Sequence, residues 1–166
     1  MTSDEEVRIV PGTADDLPVI LSLIRKLAEY EKLAHEVSAT EGKLRASLFG
    51  RNPAAEVLIA YAGVEPVGFA VYFQNFSTFV GGPGIYLEDL FVVPEWRRRG
   101  CGRRLLAHVA GIAVERGCER FEWAVLDWNE PALRFYRSLG ARALDDWVVH
   151  RLTGDALRRL GAGASP

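Results

Sequence analysis

The segment EWRRRGCGRRLLAHV, residues 95–109, constrains the fold more than any other part of the chain because it combines five arginines, two glycines and the start of an apolar helical pattern. The residues before it, YLEDLFVVP, are typical of a strand that ends at Pro94. The first amides of a helix have no partner within the helix, and glycine lets an anion approach them closely. We therefore predict a strand, a phosphate-binding turn and a helix, in that order.

Two helices are predicted before the first long strand. A short strand around residues 7–9 is followed by Thr13 and Asp16 in capping-box spacing, and then by apolar residues at helical intervals. A second, shorter helix follows Thr40 and ends at Gly50.

The rest of the chain predicts a mixed sheet. Three β-rich runs between residues 56 and 94 favour antiparallel strands, with Gly63 and Pro66 marking the first turn. After the helix that follows the arginine-rich segment, RFEWAVLDW predicts a strand, Asn129 caps another helix, and DWVVHRL predicts a last strand. The order β, α, α, β, β, β, α, β, α, β is that of an α/β protein with helices on both faces of the sheet.

Composition limits the classes of protein that this chain can belong to. With 166 residues, of which 49% are hydrophobic and 25% charged, we expect one globular domain spanning residues 1–166, with an ordered core of about residues 5–160. The net charge of −2 gives no overall attraction to nucleic acid or anionic membranes, so we expect neither as a partner. Cys101 and Cys118 have neither metal-ligand nor disulfide-framework spacing, which favours a reduced, cytoplasmic protein without a metal.

The glycine turn does not match either of two well-known nucleotide-binding motifs. The phosphate-binding loop GxxxxGK[ST] does not occur in the sequence. The dinucleotide fingerprint fails because Leu105 stands where its third glycine belongs and no parallel βαβ unit precedes it. What does fit is Arg97-x-x-Gly100-x-Gly102, which resembles the acyl-CoA loop of the GNAT superfamily of N-acetyltransferases.

Three further segments extend this resemblance over about residues 5–152. YLEDLFV, WNEPALRFYRSLGA and LIRKLAEYE are similar to the corresponding segments of the spermidine/spermine (diamine) and thialysine N-acetyltransferases. The resemblance implies a GNAT fold, acetyl-CoA as acetyl donor, a homodimer, and transfer to a primary amine of a small cation. It leaves open whether the substrate is a polyamine, a diamine, thialysine or another amine. A peptide acetyltransferase and a non-catalytic acyl-CoA-binding module are the alternatives.

The resemblance also implies roles for individual residues. Strand backbone holds the pantetheine arm, turn amides hold the pyrophosphate, and the tyrosine of "FY" is the general acid toward the departing thiolate. Substrate contacts fall on Tyr30, Glu31 and Glu88, with Asp89 as a further candidate beside them. The implied cofactor contacts are Leu90, Phe91, Val92, Arg97, Arg98, Arg99, Gly100, Cys101, Gly102, Arg103, Asn129, Ala132 and Tyr136.

The chemistry of amine acetylation asks for similar residue types. An alkylammonium group with a pKa near about 10.4 must lose a proton before it attacks a thioester, and Glu88 is a suitable acceptor. Because side chains alternate along a strand, Glu88 and Asp89 are expected on opposite faces and not as a pair. A phenol such as Tyr136 suits protonation of a thiolate. Without a serine-base or cysteine-base constellation, direct attack in a ternary complex is expected.

Each of these residues also has a purely structural interpretation. Glu88 fits an exposed strand position, Tyr136 fits a packed position on the apolar side of its helix, and Asn129 is explained by helix capping alone. The acidic residues that shape the polyamine end of the family's site have no clear equivalent here, and Asp145 and Asp146 are candidates to replace them.

Overall fold

The computed structural model describes residues 7–164, which divide into two compact units, one ending at Ala124 and the other beginning at Val125. The first unit contains β1 (Val7–Pro11), α1 (Leu17–Tyr30), α2 (Glu41–Phe49), β2 (Glu56–Ala62), β3 (Glu65–Ser77), β4 (Gly82–Val92), α3 (Cys101–Glu115) and β5 (Phe121–Trp123). The second unit contains α4 (Glu130–Ser138) and α5 (Gly154–Ala162). The expectation of a single domain stays a prediction.

The mixed sheet with helices on both faces is confirmed. Its strands lie in the order β1-β2-β3-β4-β5, antiparallel except for the parallel pair β4 and β5. A side chain at Gly68 would touch Leu105 of α3, so this side of β3 faces α3. A side chain at Gly12 would touch both Ile20 of α1 and Ile59 of β2, so Ile59 faces α1. Ile59 pairs with Phe69 of β3, which therefore faces α1 as well. Neighbouring residues of β3 therefore face different helices, α3 on one side of the sheet and α1 on the other.

The predicted helix starts are also confirmed. The backbone N–H and the hydroxyl of Thr13 donate to Asp16 Oδ2 at 2.7 and 2.8 Å, in a short 3₁₀ turn that runs into α1. At α2, the N–H of Lys43 donates to Thr40 Oγ1 at 3.2 Å. These side chains satisfy amides that have no partner within a helix.

The boundaries of the central strands differ from the prediction. Pro66 lies in β3, opposite Tyr61, and the turn before it is formed by residues 63 and 64, with Gly63 at φ 56°. β4 begins at Gly82 and so includes most of the glycine-rich connection. A proline near the start of a strand is tolerated, which explains why it did not mark the turn.

The prediction of a last strand is wrong. Residues 146–152 are irregular, and the chain then forms α5, which the sequence pattern did not reveal. A strand needs a neighbour for its backbone groups, and the described part of the second unit has only helices. The glycines at positions 154 and 161 weaken the helical signal of α5. β5 is also shorter than RFEWAVLDW suggested.

Between residues 7 and 164, the structure has no helix with the length and apolar character needed to cross a bilayer.

Candidate active site

The arginine-rich turn between β4 and α3, residues 97–103, is here called the cofactor turn. Gly100 is the N-cap of α3 at φ 80°, and Arg98 is at φ 60°, a left-handed conformation that is uncommon for a residue with a side chain. The N–H of Arg104 donates to the carbonyl of Gly100 at 3.0 Å and closes the first turn of the helix. The amides of residues 101–103 precede this bond and have no intrahelical acceptor.

The first turn of α3 leaves room for an anion. A Cβ atom at Gly102 would meet Val92 Cγ2 at 3.7 Å, an ordinary contact, so packing within the protein does not require glycine there. Arg98, Arg99 and Arg103 are exposed around it. A diphosphate fits this arrangement, because a helix N-terminus offers N–H donors and a positive potential.

Cys101 contributes its backbone to the turn and its side chain to the core. The residue is 1% exposed, and burial raises the pKa of its thiol although the positive charge of Arg104 opposes this. The thiol is therefore a packing group, and any ligand contact of this residue would be made by its backbone amide.

β4 has an open edge next to the cofactor turn. β5 pairs with β4 only from Ile85 to Leu87, and no other strand of the described chain pairs with this edge. The backbone from Leu90 to Val92 therefore lies beyond the end of the parallel pair. Such an edge offers N–H and C=O groups to an extended ligand.

A β-bulge changes the direction of the side chains in β4. Leu87 pairs with Tyr72 and Asp89 with Val71, which leaves Glu88 as the extra residue. Tyr72 and Val71 face opposite sides of the sheet, so Leu87 and Asp89 do too, although they are two residues apart. Glu88 is exposed, and its charge acts on Asp89. The expectation that Glu88 and Asp89 face opposite sides rested on strict alternation, which does not hold across a bulge, and it stays a prediction.

Two carboxylates, Glu31 at the end of α1 and Glu88 in β4, lie near enough to Asp89 for their charges to act on it, and the three are here called the carboxylate cluster. Burial, and then the charges of Glu88 and Glu31, raise the pKa of Asp89 to about 6. Burial also raises the pKa of Glu31, the residue that caps the end of α1. Negative groups in a poorly solvated place are stabilised by a cation, so the cluster can bind an ammonium group.

Arg97, the first residue of the motif, contacts the protein itself. Its Nε–H donates to the carbonyl oxygen of Val92 at 2.9 Å, and its guanidinium carbon lies 4.3 Å from the ring centroid of Tyr30. The ring of Phe91 is 5.6 Å away. The sequence motif predicted a cofactor contact at this position and gave no sign of the contact with α1.

The remaining predicted residues lie at α4, in the second unit. The N–H of Ala132 donates to Asn129 Oδ1 at 3.4 Å, which confirms that Asn129 caps the helix. Tyr136 lies one turn further along and is half-buried, with its ring centroid 5.3 Å from that of Phe135. Asn129, Ala132 and Tyr136 are thus held on one short helix.

No group of three or more histidine, cysteine, aspartate or glutamate side chains between residues 7 and 164 is arranged to hold a metal ion.

Known proteins with similar sequences or structures are acetyltransferases or share their fold. The model of the acetyltransferase (GNAT) family matches residues 22–141. A thialysine N-epsilon-acetyltransferase of Sus scrofa is 44% identical over 152 residues, which cover 85% of this chain and 89% of the relative. An L-ornithine N5-acetyltransferase of Arabidopsis thaliana is 31% identical over 198 residues, covering 92% and 87%. An integron cassette protein from the mobile metagenome of V. cholerae superposes with a TM-score of 0.78 at 28% identity, covering 93% and 97%.

Proposed function

The chain belongs to the GNAT family of acetyltransferases, and from this premise we propose that it transfers the acetyl group of acetyl-CoA to a primary amine of a small cationic molecule. The observation that carries the substrate class is the carboxylate cluster, in which the charges of Glu31 and Glu88 act on the poorly solvated carboxyl group of Asp89. The names of the two relatives, which specify a nitrogen of thialysine and a nitrogen of ornithine, support the same class.

The cofactor turn and the open edge of β4 are the proposed site for the coenzyme. Acetyl-CoA supplies a thioester, an acyl group activated for transfer. The amides of residues 98–103 bind its diphosphate, and the backbone of residues 90–92 binds its pantetheine arm. Arg98 and Arg99 add positive charge for its phosphates. Asn129 and Ala132 of α4 are proposed to contact the same arm.

The carboxylate cluster binds the amine and removes its proton in this proposal. Asp89, the most buried of the three carboxylates, pairs with the ammonium group, and Glu31 adds to the negative potential. Glu88 is exposed and accepts the proton, directly or through water, from which it can pass to solvent. The neutral amine nitrogen then uses its lone pair to form a bond with the thioester carbonyl carbon.

Tyr136 completes the proposed reaction as general acid. When the carbon–sulfur bond breaks, its phenol proton passes to the departing thiolate, so that free thiol leaves, and the excess proton on the new amide nitrogen returns to the phenolate through water. The ring of Tyr136 contacts that of Phe135 on α4, and this packing supports a role that needs an ordered proton donor.

We also propose that the protein is a homodimer in the cytoplasm. In the second unit Trp147, Val148 and Val149 are 75%, 76% and 82% exposed, and consecutive apolar side chains of this size favour an association surface. Cys101 and Cys118 form no disulfide, which supports a reducing compartment. Light scattering coupled to size exclusion measures the oligomeric state, and a monomer at micromolar concentration contradicts the dimer.

A screen of amines tests the proposed function. Purified protein is mixed with acetyl-CoA and with thialysine, ornithine, spermidine, a short diamine or a lysine-containing peptide, and thiol release is measured. We expect turnover with at least one small cationic amine at a kcat/KM well above that for the peptide. Preference for the peptide indicates a protein acetyltransferase, and coenzyme binding without turnover of any amine indicates a non-catalytic module.

A further inference from the structure

We infer that Arg97 is a positioning residue that couples the cofactor turn to the amine-binding end of α1 through the ring of Tyr30. The inference rests on the proposed function, since it assumes that the cofactor turn and the carboxylate cluster bind the two substrates of one reaction. It differs from the expected role of the first residue of the R-x-x-G-x-G motif, which is contact with the cofactor.

The side chain of Arg97 joins three elements of the first unit. Arg97 belongs to the cofactor turn, its Nε–H bond to Val92 reaches the end of β4, and its guanidinium group lies over Tyr30 at the end of α1. The ring centroid of Phe91 is 5.6 Å from the same guanidinium carbon. A planar guanidinium can donate a hydrogen bond in its plane and also pack against aromatic rings, and Arg97 makes both kinds of contact.

The position of Tyr30 determines the position of Glu31. Tyr30 is the last residue of α1, and Glu31 continues with φ −81° and ψ −1°, its N–H donating to the carbonyl of Leu27 at 2.9 Å. The backbone between the two residues therefore has little freedom. Glu31 is in turn one of the groups whose charge acts on Asp89. A contact that holds Tyr30 against the turn thus also sets the distance between Glu31 and Asp89.

Arg99 in the same turn provides a contrast. Its guanidinium carbon lies 4.8 Å from the ring centroid of Trp96, so this contact stays within the turn, and the residue is exposed. Arg99 is therefore a matched control for Arg97. Both carry the same charge at the same end of α3, but the contacts described for Arg97 extend to α1.

Steady-state kinetics of the full-length protein distinguish an arginine that binds the phosphates of CoA from one that positions the end of α1. Arg97→Lys keeps the charge but loses the planar face and the Nε–H donor. We expect the KM for thialysine, or for the best amine of the screen, to rise about 3- to 10-fold at saturating acetyl-CoA, the scale of one cation–π contact. The Kd for CoA by calorimetry stays within about twofold. Arg99→Met shows the reverse, a weaker Kd for CoA and an unchanged KM for the amine.

A double mutant tests whether Arg97 acts through Tyr30. With Tyr30→Leu the ring is absent, so adding Arg97→Lys raises the amine KM by less than about twofold more. Additive effects of the two substitutions contradict the inference. So does an Arg97→Lys variant in which the Kd for CoA changes and the amine KM does not, because that result makes Arg97 a phosphate contact.

Hydrogen exchange in the free protein supplies a readout that needs neither substrate. Arg97→Lys is expected to speed amide exchange at residues 28–33, while Arg99→Met leaves it as in the wild type. If no amine is acetylated but this difference is present, the proposed function fails and the contact stands. If amines are acetylated and Arg97→Lys matches the wild type in KM and in exchange, the inference alone fails. Arg97→Gln replaces Arg97→Lys if the latter does not fold.

Discussion

The cofactor turn and the carboxylate cluster lie close together along β4, yet they are built in different ways. The turn presents backbone amides, and its shape depends on the conformations of Arg98 and Gly100. The cluster presents side chains of Glu31, Glu88 and Asp89 from two separate elements. Ligand binding by backbone depends on the path of the chain, whereas binding by side chains changes with single substitutions. Under the proposed function, binding of the acetyl donor is therefore more constrained by the path of the chain than binding of the amine.

The largest expected effect comes from blocking the cofactor turn with a side chain. Gly102→Val places a branched side chain over the first turn of α3, where the diphosphate is proposed to bind, and we expect the Kd for CoA to rise about 10³-fold or more. Gly111→Val is the control, because position 111 lies in the same helix and a Cβ there meets no atom within 4 Å. Calorimetric titration with CoA measures both variants. Tight CoA binding by Gly102→Val would show that the turn is not the cofactor site.

An intermediate effect is expected at α4, which tests whether the second unit contributes to the chemistry. Tyr136→Phe removes the proposed acid but keeps the ring, so we expect kcat to fall roughly 10²-fold with the Kd for CoA nearly unchanged. Phe135→Leu, its neighbour on the helix, serves as a packing control and should lower kcat much less. Equal losses of kcat in the two variants would indicate that α4 acts through packing alone.

A smaller effect on activity is expected from substitutions in the carboxylate cluster. Asp89→Asn removes the anion proposed to pair with the ammonium group, and we expect the amine KM to rise about tenfold at pH 8. Because burial and two neighbouring carboxylates raise the pKa of Asp89 to about 6, the wild-type amine KM should also rise as the pH falls through about 6. Glu88→Gln, at an exposed position, should lower kcat and move this pH dependence to lower pH, because it removes one of the charges that raise the pKa of Asp89. A wild-type KM that is constant from pH 5 to 8 argues against the pairing.

The smallest effect concerns stability and has a defined sign. A carboxyl group whose pKa is higher in the folded protein than in the unfolded chain stabilises the fold at low pH, and this contribution is lost as the pH rises from about 4 through about 6. Asp89→Asn should therefore be more stable than the wild type at pH 8, by about 1–3 kcal/mol and several degrees in Tm, with little difference at pH 4. Thermal melts at the two pH values check this, and the opposite trend would contradict the raised pKa of Asp89.

Much of the first unit could be predicted because its signals are local. Capping at Thr13 and Thr40, the strand runs and the turn before α3 all depend on residues close together in sequence. The same holds for the cap at Asn129.

The features that the sequence did not predict depend on contacts between residues far apart in the chain. The bulge at Glu88 is set by the register between β3 and β4, and the contact of Arg97 with Tyr30 joins residues far apart in the chain. The strand expected at residues 146–152 needed a neighbour that local sequence does not reveal. Correct local patterns thus located the helices, most of the strands and the turn before α3, but not the contacts that the side chains make between them.

The bulge in β4 has a consequence for how this strand can vary. It shifts the parity of the strand, so that Ile85 and Leu87 face α3 while Asp89 and Phe91 face α1. Deleting position 88 would restore simple alternation while Leu87 and Asp89 keep their opposite faces, so only the side chain of Glu88 would be lost. The bulge therefore adds one carboxylate to the strand without changing which helix its other side chains face, and this position can be gained, lost or replaced while the core is kept.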